Sequence, residues 1–201
     1  MKQEVKQRTS YLIIATLILL LSSVMVAVNA QEMQPSKTAA SPVTGFRASF
    51  LRQVEDAEKK LIALSEATPQ EKYAWRPAPG VRSISEVFMH VAGSNYFILG
   101  QMGIKPPAGL EADPEKITDK AKVVESLKRS FAFVHQTLMT TSDADLEKSI
   151  NLFGDKATAR DVLFLLATHV HEHLGQSIAY ARTNGIVPPW SIPQGRQRSG
   201  Q

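Results

Sequence analysis

Three histidines spaced two apart, His169, His171 and His173, stand in the stretch DVLFLLATHVHEHLGQSIAYAR (161–182). Neutral imidazoles are ligands for first-row divalent ions, so the question is which of these rings share a face. On a helix, residues four apart lie on one side with Cβ atoms about 5–6 Å apart. His169 and His173 meet that condition. His171 is two residues from each and points roughly 200° away. On a strand all three would share a face. Val162, Leu166, His169, His173, Ser177 and Tyr180 nevertheless step by 4, 3, 4, 4 and 3, which is a helical seam. The pattern predicts two ligands and a bystander.

HEHLG resembles the start of the HExxH zinc-protease motif, but the second histidine of that motif falls on Gly175. A thermolysin-like centre is therefore excluded. Two imidazoles make a thin site, and the candidate third ligand is His90, beside the apolar Val87 and Val91 in SISEVFMHVAGSNYFIL (83–99). An isolated histidine there more often reads as a satisfied core or boundary residue. Burying three imidazoles without partners costs about 1–3 kcal/mol per unsatisfied group. One metal ion would satisfy all three.

The elements that must position these rings follow from periodicity. Phe46, Phe50, Val54, Ala57, Leu61 and Leu64 predict a helix over about 43–65, ending before Pro69. Ser83 and Glu86 have the spacing of a capping box and open a second helix, with Ile84, Val87, Val91 and Ile98 on its buried face. A third begins near Thr118, with Val124, Leu127, Phe131, Val134 and Leu138 as its seam; TTSDAD (140–145) ends it. The fourth starts after Gly154, capped by Thr158 and Asp161, and closes at Asn184–Gly185. The segments 71–82 and 146–156 read as ordered loops with short extended pieces. Four helices without a strong strand pattern predict an all-α fold, a four-helix bundle. Helix order alone does not fix which helices are neighbours.

At this point the sequence resembles the DinB-like family, the DinB/YfiT-like metalloenzymes, over about 43–188. The resemblance rests on WRPAPGVRSISEVFMHVAGSNY (75–96), with a histidine midway through the second helix, and on HVHEHLGQSIAYARTNGIVPP (169–189), with HxxxH just before Gly-Gln. It implies a four-helix bundle in which His90, His169 and His173 bind a divalent ion. Zinc or nickel is the first expectation, with manganese or iron as alternatives. It also implies a small-molecule substrate: some relatives transfer groups to low-molecular-weight thiols. Metal-assisted hydrolysis is the other chemistry an open coordination position allows. A non-catalytic metal- or ligand-binding bundle is the alternative to an enzyme.

Around the three histidines, Gln176 is placed to hold a ring, Glu172 to act as a base or outer partner, and Ser94 and Phe97 to line a pocket. Each also reads as ordinary packing or solvated surface. No residue is assigned as catalytic. His135 reads as a boundary residue, Trp75 and Arg76 as braces of the loop before the second helix, and Gly175 as a point of close helix contact.

Residues 11–28, YLIIATLILLLSSVMVAV, form an uncharged apolar run behind Lys2, Lys6 and Arg8, with small residues at Val28 and Ala30. This is the order of a secretory signal, cut after Ala30, or of an uncleaved inner-membrane anchor. The expectation is an exported protein, periplasmic or secreted, with a linker over 31–42, the domain over 43–188 and a flexible tail over 189–201. Setting Lys2, Lys6, Arg8 and Glu4 aside lowers the formal charge from +4 to +2, and no basic stripe points to nucleic acid. The chain has no cysteine, which excludes disulfides, thiolate ligands and a cysteine nucleophile. Bundles of this kind pair through exposed helix faces, so a homodimer is compatible with the sequence.

Overall fold

Phe50, Val54, Ala57, Leu61 and Leu64 recur on one face because they are spaced for a helix. In the computed structural model, which describes residues 43–193, they bury that face of α1, Gly45–Ala67. The helix stops where the Thr68 hydroxyl donates to Leu64 O at 2.8 Å and Pro69 follows. The second helix, α2, spans Ile84–Gly100. Its capping box is formed: Ser83 Oγ accepts from Glu86 N at 3.3 Å, and a Glu86 carboxylate oxygen accepts from Ser83 N at 2.7 Å. The connection 101–119 contains a single 3-10 turn, Pro114–Lys116. Asp119 then caps α3, Lys120–Thr140, by accepting from Lys122 N at 2.9 Å.

A short helix α4, Asp143–Leu146, precedes an antiparallel hairpin of β1, Ser149–Leu152, and β2, Asp155–Thr158, with Ser149 opposite Thr158. The hairpin turns at Phe153 and Gly154, both with positive φ, the backbone a tight two-residue loop demands. The last long helix, α5, spans Ala159–Thr183. It ends with Gly185 at φ +75°, Gly185 N bonding Arg182 O and Ile186 N bonding Ala181 O, the paired bonds of a Schellman motif.

The four long helices form a bundle. α1 packs against α3 and α5, and α2 packs against the same two. Helices α1 and α2, consecutive in sequence, therefore lie across the diagonal. This order makes α2 and α5 neighbours and brings His90 to the HxxxH pair. No helix among the described residues is long and apolar enough to cross a membrane. The expected signal (1–30) and linker (31–42) lie outside the described residues.

Several expectations change. The all-α reading gains a hairpin at 149–158, where short extended pieces were expected, and α4 inside the segment read as a terminator. The seam of α3 uses Val123 rather than Val124, which is half-buried. Phe46 is half-buried under the Arg160 guanidinium, 4.7 Å from its ring centre. Arg47 instead is buried; it donates to Asp143 at 2.7 Å and Thr141 O at 2.9 Å, tying α1 to the end of α3. Past residue 188 a 3-10 turn, Pro189–Ser191, packs on α1, so the first residues of the expected tail are part of the domain.

Gly175 is not a close contact. It is exposed, and a Cβ built there meets nothing within 4 Å. With helical backbone and open space, Gly175→Ala is expected to stabilise the fold by about 0.5–1 kcal/mol, because alanine loses less conformational freedom on folding. Urea unfolding of the two proteins measures it, and a lower midpoint for the variant would show that the helix surface is occupied there.

Candidate metal centre

Helix α2 supplies His90, and α5 supplies His169 and His173 from one face. One nitrogen of each ring lies within 4.8 Å of the others. The Nε2 atoms of His90 and His169 are 3.2 Å apart, and the ring centres are separated by 5.1 Å (90 to 169), 4.7 Å (90 to 173) and 4.5 Å (169 to 173). Two nitrogens bound to one ion at about 2.0–2.1 Å stand about 2.8–3.4 Å apart for angles between right and tetrahedral. The spacing of His90 and His169 fits such an ion.

The outward nitrogens complete the argument. His90 Nδ1–H donates to Glu115 Oε1 at 3.2 Å, and Glu115 is itself gripped by Arg82 Nε at 3.0 Å. His173 Nδ1–H donates to Gln176 Oε1 at 2.8 Å. Gln176 Nε2 in turn donates to the Tyr180 hydroxyl at 3.0 Å, and Tyr180 meets Trp75 edge-on at 5.4 Å. A proton fixed on each Nδ1 leaves the Nε2 lone pair facing inward, as a ligand requires. His169 Nδ1 is buried without a partner, so in the metal-free protein its proton sits on Nε2 and bridges to His90. The donor set of three imidazoles fits a divalent ion.

Electrostatics favour the neutral rings. Burial, then the Arg82 guanidinium and His173, hold His90 below the usual imidazole range despite the opposing pull of Glu115. Burial, then the neighbouring His173 and His90, push His169 down to about 4. The unfolded chain takes up this proton near pH 6.5, while the folded metal-free protein takes it up near 4. Between those values the unfolded state binds more protons, so stability declines as the pH falls through that window. The melting temperature of metal-free protein is expected to drop from pH 7 to 4.5 more steeply than that of His169→Ala. Equal slopes would remove the assignment.

The remaining candidates separate. His171 turns away and donates Nδ1–H to Ala167 O at 2.9 Å. Glu172 is exposed and bonds none of the three rings: one residue from His173 it is turned about 100° around the helix. Ser94 is half-buried and also bonds none of them. Phe97 is 60% exposed, stacked on Phe153 with centroids 6.0 Å apart, and lines a different hollow. His135 bonds Glu58 at 2.6 Å and joins α3 to α1. Arg76 braces the loop before α2 through Val81 O at 2.8 Å and Glu86 at 2.6 Å. Sequence reasoning missed Glu115, which lies in a turn with no periodic pattern, 25 residues from His90.

The sequence model of the DinB superfamily matches residues 53–177, a span holding all three histidines. No curated protein sequence matches the chain. Among solved structures, a DinB-like protein from Bacillus cereus is similar at 21% identity and TM-score 0.63, covering 71% of this chain and 95% of that one. A DinB family member from Exiguobacterium sibiricum is 20% identical, with TM-score 0.56 and coverage of 76% and 97%. YfiT from Bacillus subtilis is described as a probable metal-dependent hydrolase with an unusual four-helix bundle topology. It is 17% identical, with TM-score 0.57 and coverage of 78% and 95%. At these identities the likeness concerns the fold.

Proposed function

We propose, from the premise that this chain belongs to the DinB superfamily, that it is a metal-dependent enzyme acting on a small molecule, with His90, His169 and His173 holding the ion. The observation that carries this reading is the convergence of three inward imidazoles in a cluster that includes no fourth protein ligand among the described residues. Three protein ligands leave a coordination position for water or substrate, the arrangement of catalytic rather than structural zinc. When bound, the ion supplies a Lewis acid and an acidified water at that position. The chain's own groups then have defined tasks. Glu115 and Gln176 keep the Nδ1 protons of His90 and His173, and burial favours the neutral rings of His90 and His169 over the imidazolium.

Hydrolysis is the reaction class favoured, since an open position on such an ion would take up and acidify a water. The description of YfiT supports the same class. An open position also accepts a thiolate, so thiol transfer is tested alongside. Export stays a proposal that rests on residues 1–30. Cobalt-loaded protein titrated with azide and with a small thiol tests the reading. A changed visible spectrum means an exchangeable position, with a sulfur charge-transfer band marking thiol chemistry. An unchanged four-coordinate spectrum means a closed, structural ion and would overturn the enzyme.

A further inference from the structure

A hollow of about 640 Å³ is walled by α2, α3 and the connection 101–119. That volume is in the range of small-molecule sites, about 300–1,000 Å³. Its apolar walls come from Met89, Ala92, Tyr96 and Phe97 on α2 and from Leu110 and Ile117 on the connection. None of the three histidines lines it. Phe97 is 60% and Leu110 38% exposed, so the walls carry apolar surface that folding leaves in water. Its charged lining residues are Lys122 and Arg129, and Glu111 and Glu125, two cations and two anions. A rim without net charge gives no advantage to a strongly charged ligand. Walls on three sides suit a compact molecule better than a helix or strand of a partner.

We infer that this hollow is a binding site for a small amphipathic molecule with an apolar, aromatic-sized body and a polar head of little net charge. The body lies against Met89, Tyr96, Phe97 and Leu110, and the head sits at the charged edge of α3. None of the three metal-centre histidines lines the site, so its test reads separately from that of the proposed enzyme.

Titration of the full chain with N-phenyl-1-naphthylamine, a neutral dye that brightens in apolar surroundings, tests it. The expected result is one saturable site. Leu110→Asp and Phe97→Asp weaken binding at least tenfold, both changes being at exposed positions that leave helix content intact. Phe164→Asp, at an exposed position of α5 outside the hollow, leaves binding unchanged, as does His173→Ala. The sulfonated analogue 8-anilino-1-naphthalenesulfonate binds more weakly. The inference is overturned by binding that does not saturate, by equal loss in Phe164→Asp, or by indifference to both hollow variants. It is also overturned if rising protein concentration expels the dye as chains associate, which would give the hollow to a second copy.

Discussion

Protein purified without a histidine tag is expected to carry one divalent ion per chain, and His169→Ala or His173→Ala to carry none. The two residues sit four apart on α5 and present rings whose centres are 4.5 Å apart. Removing either leaves two imidazoles and a cavity at the position where the third nitrogen closed the site. Loss of an outer hydrogen-bond partner alone weakens metal binding about 10–100-fold, and loss of a ligand exceeds that. His171→Ala is the control. It changes the same helix turn and the same composition but faces Ala167 O, so it keeps the ion. Helix content by circular dichroism should match the parent in all three. Elemental analysis after dialysis reads the outcome. An ion retained by His169→Ala would remove that residue from the ligand set, and an ion lost by His171→Ala would mean that the tilt of α5, not the ring, controls binding.

The histidine pair was legible because ligand geometry and helix geometry share a period. Residues four apart meet on one face whatever the tertiary fold, and the apolar steps from Val162 to Tyr180 made that face the buried one. Gln176 was legible for the same reason, three residues beyond His173 on the same side. His90 was legible only as a polar residue in an apolar helix, since what it meets depends on α2 lying beside α5. The diagonal placement of α1 and α2 is set by packing across the whole bundle, and no local rule encodes it.

The misreadings have similar causes. Val123 and Val124 are adjacent and both fit helical steps to Leu127, so their neighbours on α1 and α2 decide between them. Arg47 was invisible as a core residue because its burial requires Asp143 and Thr141 O, 96 and 94 residues away. The helix α4 did leave a signal: Ser142 and Asp145 have the capping-box spacing, and they form it. Glu115 left none, because a turn residue in an irregular connection has no periodic partner.

That residue makes the second large effect. Glu115→Ala is expected to raise the Kd for the metal about 10–100-fold, though Glu115 never touches the ion. Two causes act in the same direction. The His90 Nδ1 proton loses its acceptor, so the ring is free to turn and to exchange tautomers, and the inward lone pair is no longer fixed. Arg82 also loses the carboxylate that it grips with Nε at 3.0 Å, and its charge then opposes a cation at the site. Glu115→Gln separates the two. Its amide oxygen still accepts the Nδ1 proton, while the charge is gone, so its Kd should fall between parent and alanine variant. Gln176→Ala acts on a different ring, and its effect should add to that of Glu115→Ala in the double variant. Competition with a chelator gives each Kd, and thermal unfolding of the metal-free proteins gives the stability that Glu115 contributes by itself. A fall in melting temperature with Kd unchanged would make Glu115 a fastening of the 101–119 connection. A raised Kd with the metal-free melting temperature unchanged would make it the residue that aims His90.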